Sequence, residues 1–403
     1  MLQNLKQKSA SARPTKAGCP ACLGSETVDF FSVDNQPVNV GVFYDTYLDA
    51  QSAPRGNITL AYCMSCGFVH NREFDTSKNL FEPGYEVALH HSATFRKFIS
   101  GVAERLIDRF ELNGKRVVEI GCGDAFFLRT LAALGKNDCI GIDPTVAVEG
   151  AQAIEQGSLR LIRDYFGAAH QDHAADFVCC LSVFEDIPRP APFLAAVRAL
   201  TSHHNASVYF EVFNAWRAFQ EQEVWSVHYE QCNYFGMDSL KKVFLRHGFS
   251  VEQIATCYEG DQYLFVEASP SKPALKKPAN EVRANMPDLL LSFNQAFSDR
   301  LHLWSDRLSQ YCRNDERVVV WGSGGKGITF LNSLPGADSI RYVVEINPDK
   351  QGKFVPGTGQ RIVPPEFLAE YQPHKIIITN VLYEAEMRKQ AQDLGVHAEF
   401  LIA

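Results

Sequence analysis

The sequence predicts an α/β protein built from a cysteine-rich N-terminal module, a central Rossmann-like domain and a second Rossmann-like α/β domain at the C-terminus. Two cysteine pairs lie before residue 70. After them, two stretches alternate strand-like and helical patterns, which is typical of doubly wound parallel sheets. We expect the three modules to occupy residues 1–86, 87–270 and 271–403.

Length and charge narrow the class of protein. The 403 residues are enough for two or three domains. The net charge of −8 does not favour nucleic acid as a partner, because nucleic-acid-binding domains are usually basic. No apolar run is long enough for a membrane span, and residues 1–18 lack the apolar core of a secretory signal. We therefore expect a cytoplasmic monomer or homodimer with a disordered, basic leader and no membrane contact.

The cysteine pairs predict one structural zinc ion in the N-terminal module. Cys19 and Cys22 form one C-x2-C pair, Cys63 and Cys66 form another, and 40 residues separate the pairs. Four thiolates at such spacing can surround zinc tetrahedrally. The alternatives are two accidental pairs of buried cysteines, or a catalytic zinc, which would need an open coordination position.

Short strand-like runs and helical periods set out the first two modules. The N-terminal module has strand-like runs at 38–44 and 58–62. A helix is expected over 91–110, and the last strand of the central domain is expected to be antiparallel. The predicted strands of this domain are 116–120, 139–142, 159–162, 177–181, 207–212 and 262–268.

The C-terminal third begins with a predicted linker. Residues 269–286 are rich in Pro, Lys, Ala and Ser, as an exposed connection would be. Apolar residues at helical spacing then predict one long helix over 288–312. A second series of strands and helices follows, with strands at 317–321, 341–345 and 375–379.

A glycine loop after the first central strand indicates a cofactor site. Gly121 and Gly123 follow that strand and let the backbone approach a ligand closely. Asp143 ends the next strand, 20 residues after Gly123, where a carboxylate can accept hydrogen bonds from both ribose hydroxyls. This spacing alone fits either a dinucleotide or an adenosyl cofactor.

The pattern E-x-G-x-G that starts at Glu119 resembles the first motif of class I methyltransferases, which bind S-adenosylmethionine. The resemblance implies that Asp143 holds the ribose and that Asp164 meets the adenine amino group. Residues 181–188 are similar to the fourth motif of the same family, which places Ser182 beside the cofactor. The resemblance therefore predicts one bound S-adenosylmethionine.

The whole chain further resembles the zinc-containing sugar C-methyltransferases of deoxysugar pathways. Residues 322–332 look like that family's G-x-x-x-K-G-x-T-x-L-N loop. Residues 347–352 match its N-P-x-K-x-G stretch, and 356–358 match its P-G-T. The resemblance implies methylation of a carbon next to a ketone on a nucleotide-linked sugar or a related phosphorylated compound.

The segment that begins at His228 departs from this family. Relatives read roughly Y-H-E-H-x-x-Y-F, and the resemblance implies that their second His is the general base. Here Gln231 stands at that position, and glutamine cannot titrate. The nearest titratable candidates are His228, Glu230, Tyr229 and Asp186, and Asp186 itself stands where relatives often have His. His228 has the best unperturbed pKa for a base near neutral pH.

Further residues are candidates for holding a small-molecule acceptor. Tyr85 matches a tyrosine that precedes the central domain in the family, and Lys326 can add charge to the C-terminal glycine loop. The other predicted acceptor contacts are Asp186, Asn214 and Tyr234.

Three other functions compete with sugar C-methylation. The same scaffold can serve an O- or N-methyltransferase of a natural-product pathway, or a protein that binds the cofactor without catalysis. NAD-dependent chemistry is disfavoured, because neither glycine loop reads G-x-G-x-x-G.

Overall fold

The computed structural model describes residues 18–78, 81–271 and 286–403. The predicted leader and most of the predicted linker lie outside these residues. The described chain forms three packed modules with one sheet each.

The N-terminal module is a four-stranded antiparallel sheet. Its strands are β1 (Thr27–Pro37), β2 (Arg55–Cys63) and β3 (Val69–Asn71), with a short helix α1 (Tyr47–Gln51) before β2. Its fourth strand, β10 (Asn233–Tyr234), comes from the central part of the chain and pairs with β3.

The predicted strand at 58–62 is confirmed within β2, but the strand-like run at 38–44 is wrong. In that run only Tyr44 forms an isolated bridge, with Phe354 of the C-terminal module. The apolar residues of the run are buried by packing between modules instead of by strand pairing.

The central module is an eight-stranded sheet covered by helices. Five strands run parallel, and β12 pairs antiparallel with both β9 and β11. The order β11-β12-β9-β8-β4-β5-β7-β6 reverses at β4, so ligands are expected at its carboxyl end. The elements are α2 (Ala93–Phe110), β4 (Arg116–Ile120), α3 (Phe126–Gly135), β5 (Asp138–Ile142), β6 (Gly150–Ala151), β7 (Ser158–Ile162), β8 (Phe177–Leu181), α4 (Pro190–Ser202), β9 (Ser207–Phe213), α5 (Ala215–Gln220), α6 (Met237–Arg246), β11 (Phe249–Cys257) and β12 (Tyr263–Pro270).

This arrangement confirms the class I methyltransferase Rossmann-like fold expected for the central module. All six predicted strands are present, and the last one is antiparallel as expected. Sequence analysis missed β11, because its alternation of apolar and polar residues is interrupted by a bulge between Val251 and Gln253.

The C-terminal module is a five-stranded parallel sheet in the order β15-β14-β13-β16-β17. The three predicted strands and the long helix are confirmed, whereas β15 and β17, the two edge strands, were not predicted. The elements are α7 (Met286–Arg313), β13 (Val318–Trp321), α8 (Gly325–Ser333), β14 (Tyr342–Val344), β15 (Arg361–Val363), α9 (Phe367–Tyr371), β16 (Lys375–Ile378), α10 (Glu384–Asp393) and β17 (Glu399–Ile402).

One apolar core joins the three modules. Helix α7 buries Phe293 and Phe297 against Phe31 of β1, with ring centroids 5.5 and 4.9 Å apart. Trp225 of the central module packs edge-on against Phe330 of α8 at 5.2 Å. The modules therefore meet along continuous apolar contacts, which fix the walls of any site between them. Within the described ranges, no helix has the length and apolar character that a membrane crossing requires.

Candidate functional site

A cavity of about 780 Å³ opens at the carboxyl ends of β4, β5 and β8, next to the reversal of strand order. Gly121 and Gly123, in the turn between β4 and α3, have φ angles of 74° and 52°. Side chains rarely adopt such angles, so both positions favour glycine. A Cβ atom on Gly123 would meet nothing within 4 Å, whereas one on Gly121 would clash with Val183. The backbone at Gly123 is therefore open to a ligand in the cavity.

Asp143 lies at the end of β5 and faces this turn. Its Oδ2 accepts a hydrogen bond from the Gly123 amide at 2.9 Å. Its Oδ1 accepts from the amide and the hydroxyl of Thr145, each at 2.6 Å. Asp143 lines the cavity, and carboxylate oxygens have acceptor capacity for further donors. The carboxylate is thus held in place and can still bind a pair of hydroxyl groups.

Glu119 and Ser182, two of the predicted cofactor contacts, also line the cavity. Glu119 is 3% exposed, and its Oε2 has no hydrogen-bond partner among the described residues. Burial, followed by the charges of Asp124 and Asp143, raises the pKa of Glu119 well above its usual value. A neutral carboxyl group at this position can donate a hydrogen bond into the cavity.

Asp164 does not line the cavity. Its carboxylate faces His170, with Oδ2 3.4 Å from Nε2. The next two residues, Tyr165 and Phe166, line the cavity instead. Sequence reasoning missed this pair, although two aromatic residues directly after a strand are a usable signal for an apolar ligand wall.

Tyr85 and Glu230 form a hydrogen-bonded pair beside the cavity. Glu230 is 5% exposed; its Oε1 accepts from the Tyr85 hydroxyl at 2.8 Å and its Oε2 accepts from the Val40 amide at 2.9 Å. Burial raises the pKa of Glu230 to about 7, against the opposing effect of these hydrogen bonds. The tyrosine ring lines the cavity and Glu230 lies behind it. A buried carboxyl group with a pKa of about 7 is therefore hydrogen-bonded to a residue of the cavity wall.

Asp186 lines the cavity next to this pair. Burial, followed by the charges of Glu185 and Glu230, raises the pKa of Asp186 well above its usual value. Burial therefore favours the neutral form of this carboxyl group, and that form can donate a hydrogen bond. We call Tyr85, Asp186 and Glu230 the acid cluster.

His228 and Lys326 lie outside the cavity, at the contact between the central and C-terminal modules. His228 Nδ1 is 3.0 Å from the Thr329 hydroxyl, and the Lys326 ammonium donates to Glu223 at 2.8 Å. Burial, followed by the charge of Lys326, lowers the pKa of His228 to about 4. The imidazole is therefore neutral and packs against Gly325 at the start of α8. The C-terminal glycine loop thus contacts this chain's own central module.

Tyr229, Tyr234 and Asn214 are engaged in structural contacts and do not line the cavity. The Tyr229 hydroxyl accepts from the Asp75 amide at 2.9 Å, and the Tyr234 hydroxyl donates to the His228 carbonyl at 3.1 Å. Asn214 caps helix α5 by accepting from the Arg217 amide at 3.2 Å. The structure therefore separates these three residues from Tyr85 and Asp186.

The four predicted zinc ligands lie together. The ligand sulfur atoms of Cys19, Cys22, Cys63 and Cys66 are all within 4.8 Å of one another. Cys19 and Cys66 sulfurs are 3.7 Å apart and Cys22 and Cys63 sulfurs are 3.5 Å apart. Zinc–sulfur bonds of about 2.3 Å in a tetrahedron require sulfurs about 3.8 Å apart. The thiols therefore fit one four-coordinate zinc ion.

The cavity has two walls that the sequence did not predict. Residues 86–90 cross from the N-terminal to the central module and line it, and the His90 ring stacks on Phe126 at 4.5 Å. Asp349 and Lys353 of the C-terminal module line it too. Both lie in or beside the N-P-x-K-x-G stretch, so this motif was the signal that could have placed them at the site.

Comparisons with known families agree with this geometry. A family described as a methyltransferase domain matches residues 94–254. A second, described as a C-methyltransferase C-terminal domain, matches residues 267–402. The chain is thus similar to a methyltransferase domain followed by a C-methyltransferase C-terminal domain. These matches support the prediction of a methyltransferase enzyme.

Two individual proteins are similar to the chain, one over part of its length and one over most of it. The methyltransferase domain is similar to the ubiquinone biosynthesis O-methyltransferase of Burkholderia thailandensis, with 32% identity over 109 residues, 26% of this chain and 46% of that protein. The chain therefore spans about half the length of this relative. It is also 22% identical to the C-methyltransferase NovU of Streptomyces niveus over 391 residues, 92% of this chain and 90% of NovU.

Among solved structures, the magnesium protoporphyrin IX methyltransferase of Synechocystis PCC 6803 with bound S-adenosylmethionine is 18% identical. The superposition covers 46% of this chain and 86% of that protein, with a TM-score of 0.34.

Proposed function

We propose that this protein is an S-adenosylmethionine-dependent methyltransferase that adds a methyl group to a carbon next to a carbonyl. The acceptor proposed is a small metabolite, a nucleotide-linked sugar or a related phosphorylated compound. The observation that carries the proposal is the Tyr85–Glu230 pair, which links a buried proton acceptor to the cavity beside Asp143. Methylation of carbon requires such an acceptor, whereas an amine nucleophile does not.

The residues of the cavity fit the methyl donor. Asp143 would hold the ribose, and the turn at Gly121 and Gly123 would lie against the rest of the cofactor. The unpartnered Oε2 of Glu119 leaves a buried polar group to be satisfied by a ligand. When bound, S-adenosylmethionine supplies an electrophilic methyl group attached to a sulfonium sulfur. The rest of the cofactor is then the leaving group, a neutral thioether.

The acid cluster can carry out the proton chemistry. The Tyr85 oxygen takes the proton from the acceptor carbon while the Tyr85 proton passes to Glu230 Oε1, so Glu230 ends one proton richer. The carbon electron pair released in this step then forms the bond to the methyl group. Protonated Asp186 can donate to the acceptor oxygen, where negative charge develops. Glu230 afterwards returns its proton to solvent.

His228, the first sequence-based choice for the base, is less suited to this role. It lies outside the cavity, and its ring is occupied by Thr329 and the start of α8. We therefore propose Glu230, acting through Tyr85, as the group that replaces the histidine of the sugar enzymes.

The reaction is tested with labelled methyl donor and a panel of acceptors. The panel contains a nucleotide-linked deoxyketohexose, a catechol and a primary amine, and NMR of the product locates the new methyl group. A methyl on carbon with loss of one hydrogen is the expected result. A methyl on oxygen or nitrogen would contradict C-methylation. Cofactor binding with no transfer to any member would instead favour a binding protein without catalysis.

We expect Asp143→Ala to weaken binding of S-adenosylhomocysteine by about 10- to 100-fold, because hydrogen bonds to a charged acceptor are lost. Isothermal titration calorimetry measures the effect. The matched control is Asp138→Ala on the same strand, β5, because the exposed Asp138 side chain accepts from the Ser158 hydroxyl at the opposite end of the strand. Equal affinities of the two variants would contradict the placement of the ribose.

We also propose that the four cysteines hold one structural zinc ion. Four thiolates complete the coordination of zinc and leave no open position for a reacting water. None of the four lines the 780 Å³ cavity, so the ion would stabilise the fold and take no part in the reaction.

A further inference from the structure

Glu211 is a buried carboxyl group in the wall of the 780 Å³ cavity, and the proton chemistry of the acid cluster does not use it. It lies on β9 and is 2% exposed. Leu181, the last residue of the adjacent strand β8, pairs with it, and the Ser182 amide donates to its carbonyl oxygen at 2.9 Å. Leu181 and Ser182 line the same cavity. Glu211 therefore lies beside the carboxyl end of β8, at the edge of the sheet where the ligand is expected.

One oxygen of this carboxyl group is available to a ligand. The Oε2 atom accepts from the Tyr209 hydroxyl at 3.2 Å and from the Cys257 thiol at 3.6 Å. Within residues 18–78, 81–271 and 286–403, Oε1 accepts no hydrogen bond and Glu211 forms no ion pair. The Arg105 guanidinium, which packs over the Tyr209 ring, is bound to Glu267 instead. Oε1 thus has acceptor capacity for a donor inside the cavity.

The charge of the cavity wall indicates what kind of donor this is. Besides Glu211, the carboxyl groups of Glu119, Asp124 and Asp143 line the cavity around the glycine turn. Among the described residues, Lys353 of the C-terminal module is the only Lys or Arg in the lining. A cleft lined mainly by groups of one sign attracts ligand groups of the opposite sign. A positively charged donor is therefore favoured at Glu211.

We propose that Glu211 binds the α-ammonium group of S-adenosylmethionine. The strand order β9-β8-β4-β5 puts Glu211 and Asp143 on opposite sides of the glycine turn that follows β4. Neighbouring strands are about 4.8 Å apart, so β9 and β5 are about 14 Å apart. A ribose that carries an extended methionine chain can bridge this span with a hydrogen bond at each end. The inference rests on the proposed cofactor, and it assigns the methionine end to a residue outside the glycine motif.

The charge of Glu211 should respond to such a ligand. The titratable groups around it are Tyr209 on β9, Cys257 on β11, Tyr263 on β12, Glu185 after β8 and Arg105 on α2. Burial has the largest effect and raises the pKa of Glu211 to about 7, although the bonds from Tyr209 and Cys257 oppose it. An adjacent ammonium favours the ionised carboxylate. Binding of the ammonium at about pH 7 should therefore release protons from Glu211.

The test is a cycle that removes each partner of the contact in turn. Isothermal titration calorimetry compares S-adenosylhomocysteine with its analogue in which hydrogen replaces the α-ammonium group. Both are titrated into the full chain, as wild type and as Glu211→Gln. We expect the wild type to bind S-adenosylhomocysteine about 10- to 100-fold more tightly than the analogue, because the analogue lacks a charged hydrogen bond. Glu211→Gln should bind the two ligands with nearly equal affinity, because glutamine keeps the shape but not the charge.

Two further variants are matched controls. Glu185→Gln changes another buried glutamate whose pKa is raised to about 7, and this residue does not line the cavity. It should bind both ligands as the wild type does. Asp143→Ala should weaken both ligands by the same factor, because both contain the ribose.

Two results would overturn the proposal while leaving the cofactor in place. One is a Glu211→Gln variant that keeps the wild-type preference for S-adenosylhomocysteine, and the other is loss of this preference in Glu119→Gln instead. If Glu211→Gln does not fold, proton release by the wild type decides, measured in buffers of different ionisation enthalpy at about pH 7. More protons released with S-adenosylhomocysteine than with the analogue supports the proposal, and equal release overturns it. A wild-type chain that binds neither ligand would refute the proposed cofactor, and this inference with it.

Discussion

Replacing Glu230 with Gln should lower the turnover number for methyl transfer by at least about 100-fold, the lower range for loss of a general base. Glutamine has nearly the same shape and can still accept from the Val40 amide, but it cannot take a proton. Glu230 does not line the cavity in which the cofactor is proposed to bind, so the affinity for S-adenosylhomocysteine should stay the same. Steady-state kinetics and calorimetry on the same preparations measure the two effects.

The pH dependence of turnover gives an independent measure of this role. Burial raises the pKa of Glu230 to about 7, and a base works in its ionised form, so turnover should rise as pH increases through that value and then level off. In Glu230→Gln the rise should be lost. Tyr85→Phe should lose turnover too, because the proton path through the hydroxyl is broken.

The matched control for these variants is Glu259→Gln, which changes an exposed glutamate in a loop before β12. Its turnover and pH profile should equal those of the wild type. If Glu230→Gln keeps turnover within a few-fold of this control, the acid cluster does not supply the base.

Replacing Cys63 with Ser should remove the metal and unfold the N-terminal module together. Structural zinc contributes roughly 10–16 kcal/mol of apparent binding free energy in zinc-finger peptides, and that free energy is linked to folding. Cys63 ends β2, the strand between β1 and β3, so loss of its thiolate removes a ligand held by the sheet itself. Metal content by mass spectrometry and thermal unfolding followed by circular dichroism are the measurements.

The control is Cys312→Ser, which changes an exposed free cysteine near the end of α7. This variant should keep one zinc per chain and the wild-type unfolding temperature. One zinc retained per chain in Cys63→Ser, with unchanged stability, would contradict the structural zinc site.

The choice between His228 and Glu230 as the proposed general base depended on long-range contacts. Sequence spacing placed both His228 and Glu230 close to the position where relatives have histidine, and the unperturbed pKa of histidine favoured His228. In the folded chain their side chains have different partners: His228 contacts Thr329 of α8, and Glu230 contacts Tyr85. The partners are 101 and 145 residues away in the chain, and no local pattern reports contacts at that separation.

The same limit applies to the walls of the cavity. Lys326 was predicted to hold substrate because it follows a glycine loop, yet it pairs with Glu223 of the central module. Conversely, Lys353 lines the cavity, although its stretch of sequence indicated only family membership. Which charged groups face a cleft depends on how the modules dock, and docking is driven by apolar contacts spread over all three modules.

The sequence by itself determined what depends on local spacing. The two C-x2-C pairs predicted the cysteine cluster, and the glycine turn with Asp143 predicted the carboxyl end of β4 as the ligand edge. Alternating strand and helix periods predicted most of the parallel strands of the central and C-terminal sheets, because side-chain burial repeats with the geometry of each element. Only the tertiary structure decided which titratable groups share the cavity and what their charge is. Their pKa values depend on burial and on neighbours that come from all three modules, and those are set when the apolar surfaces between the modules close.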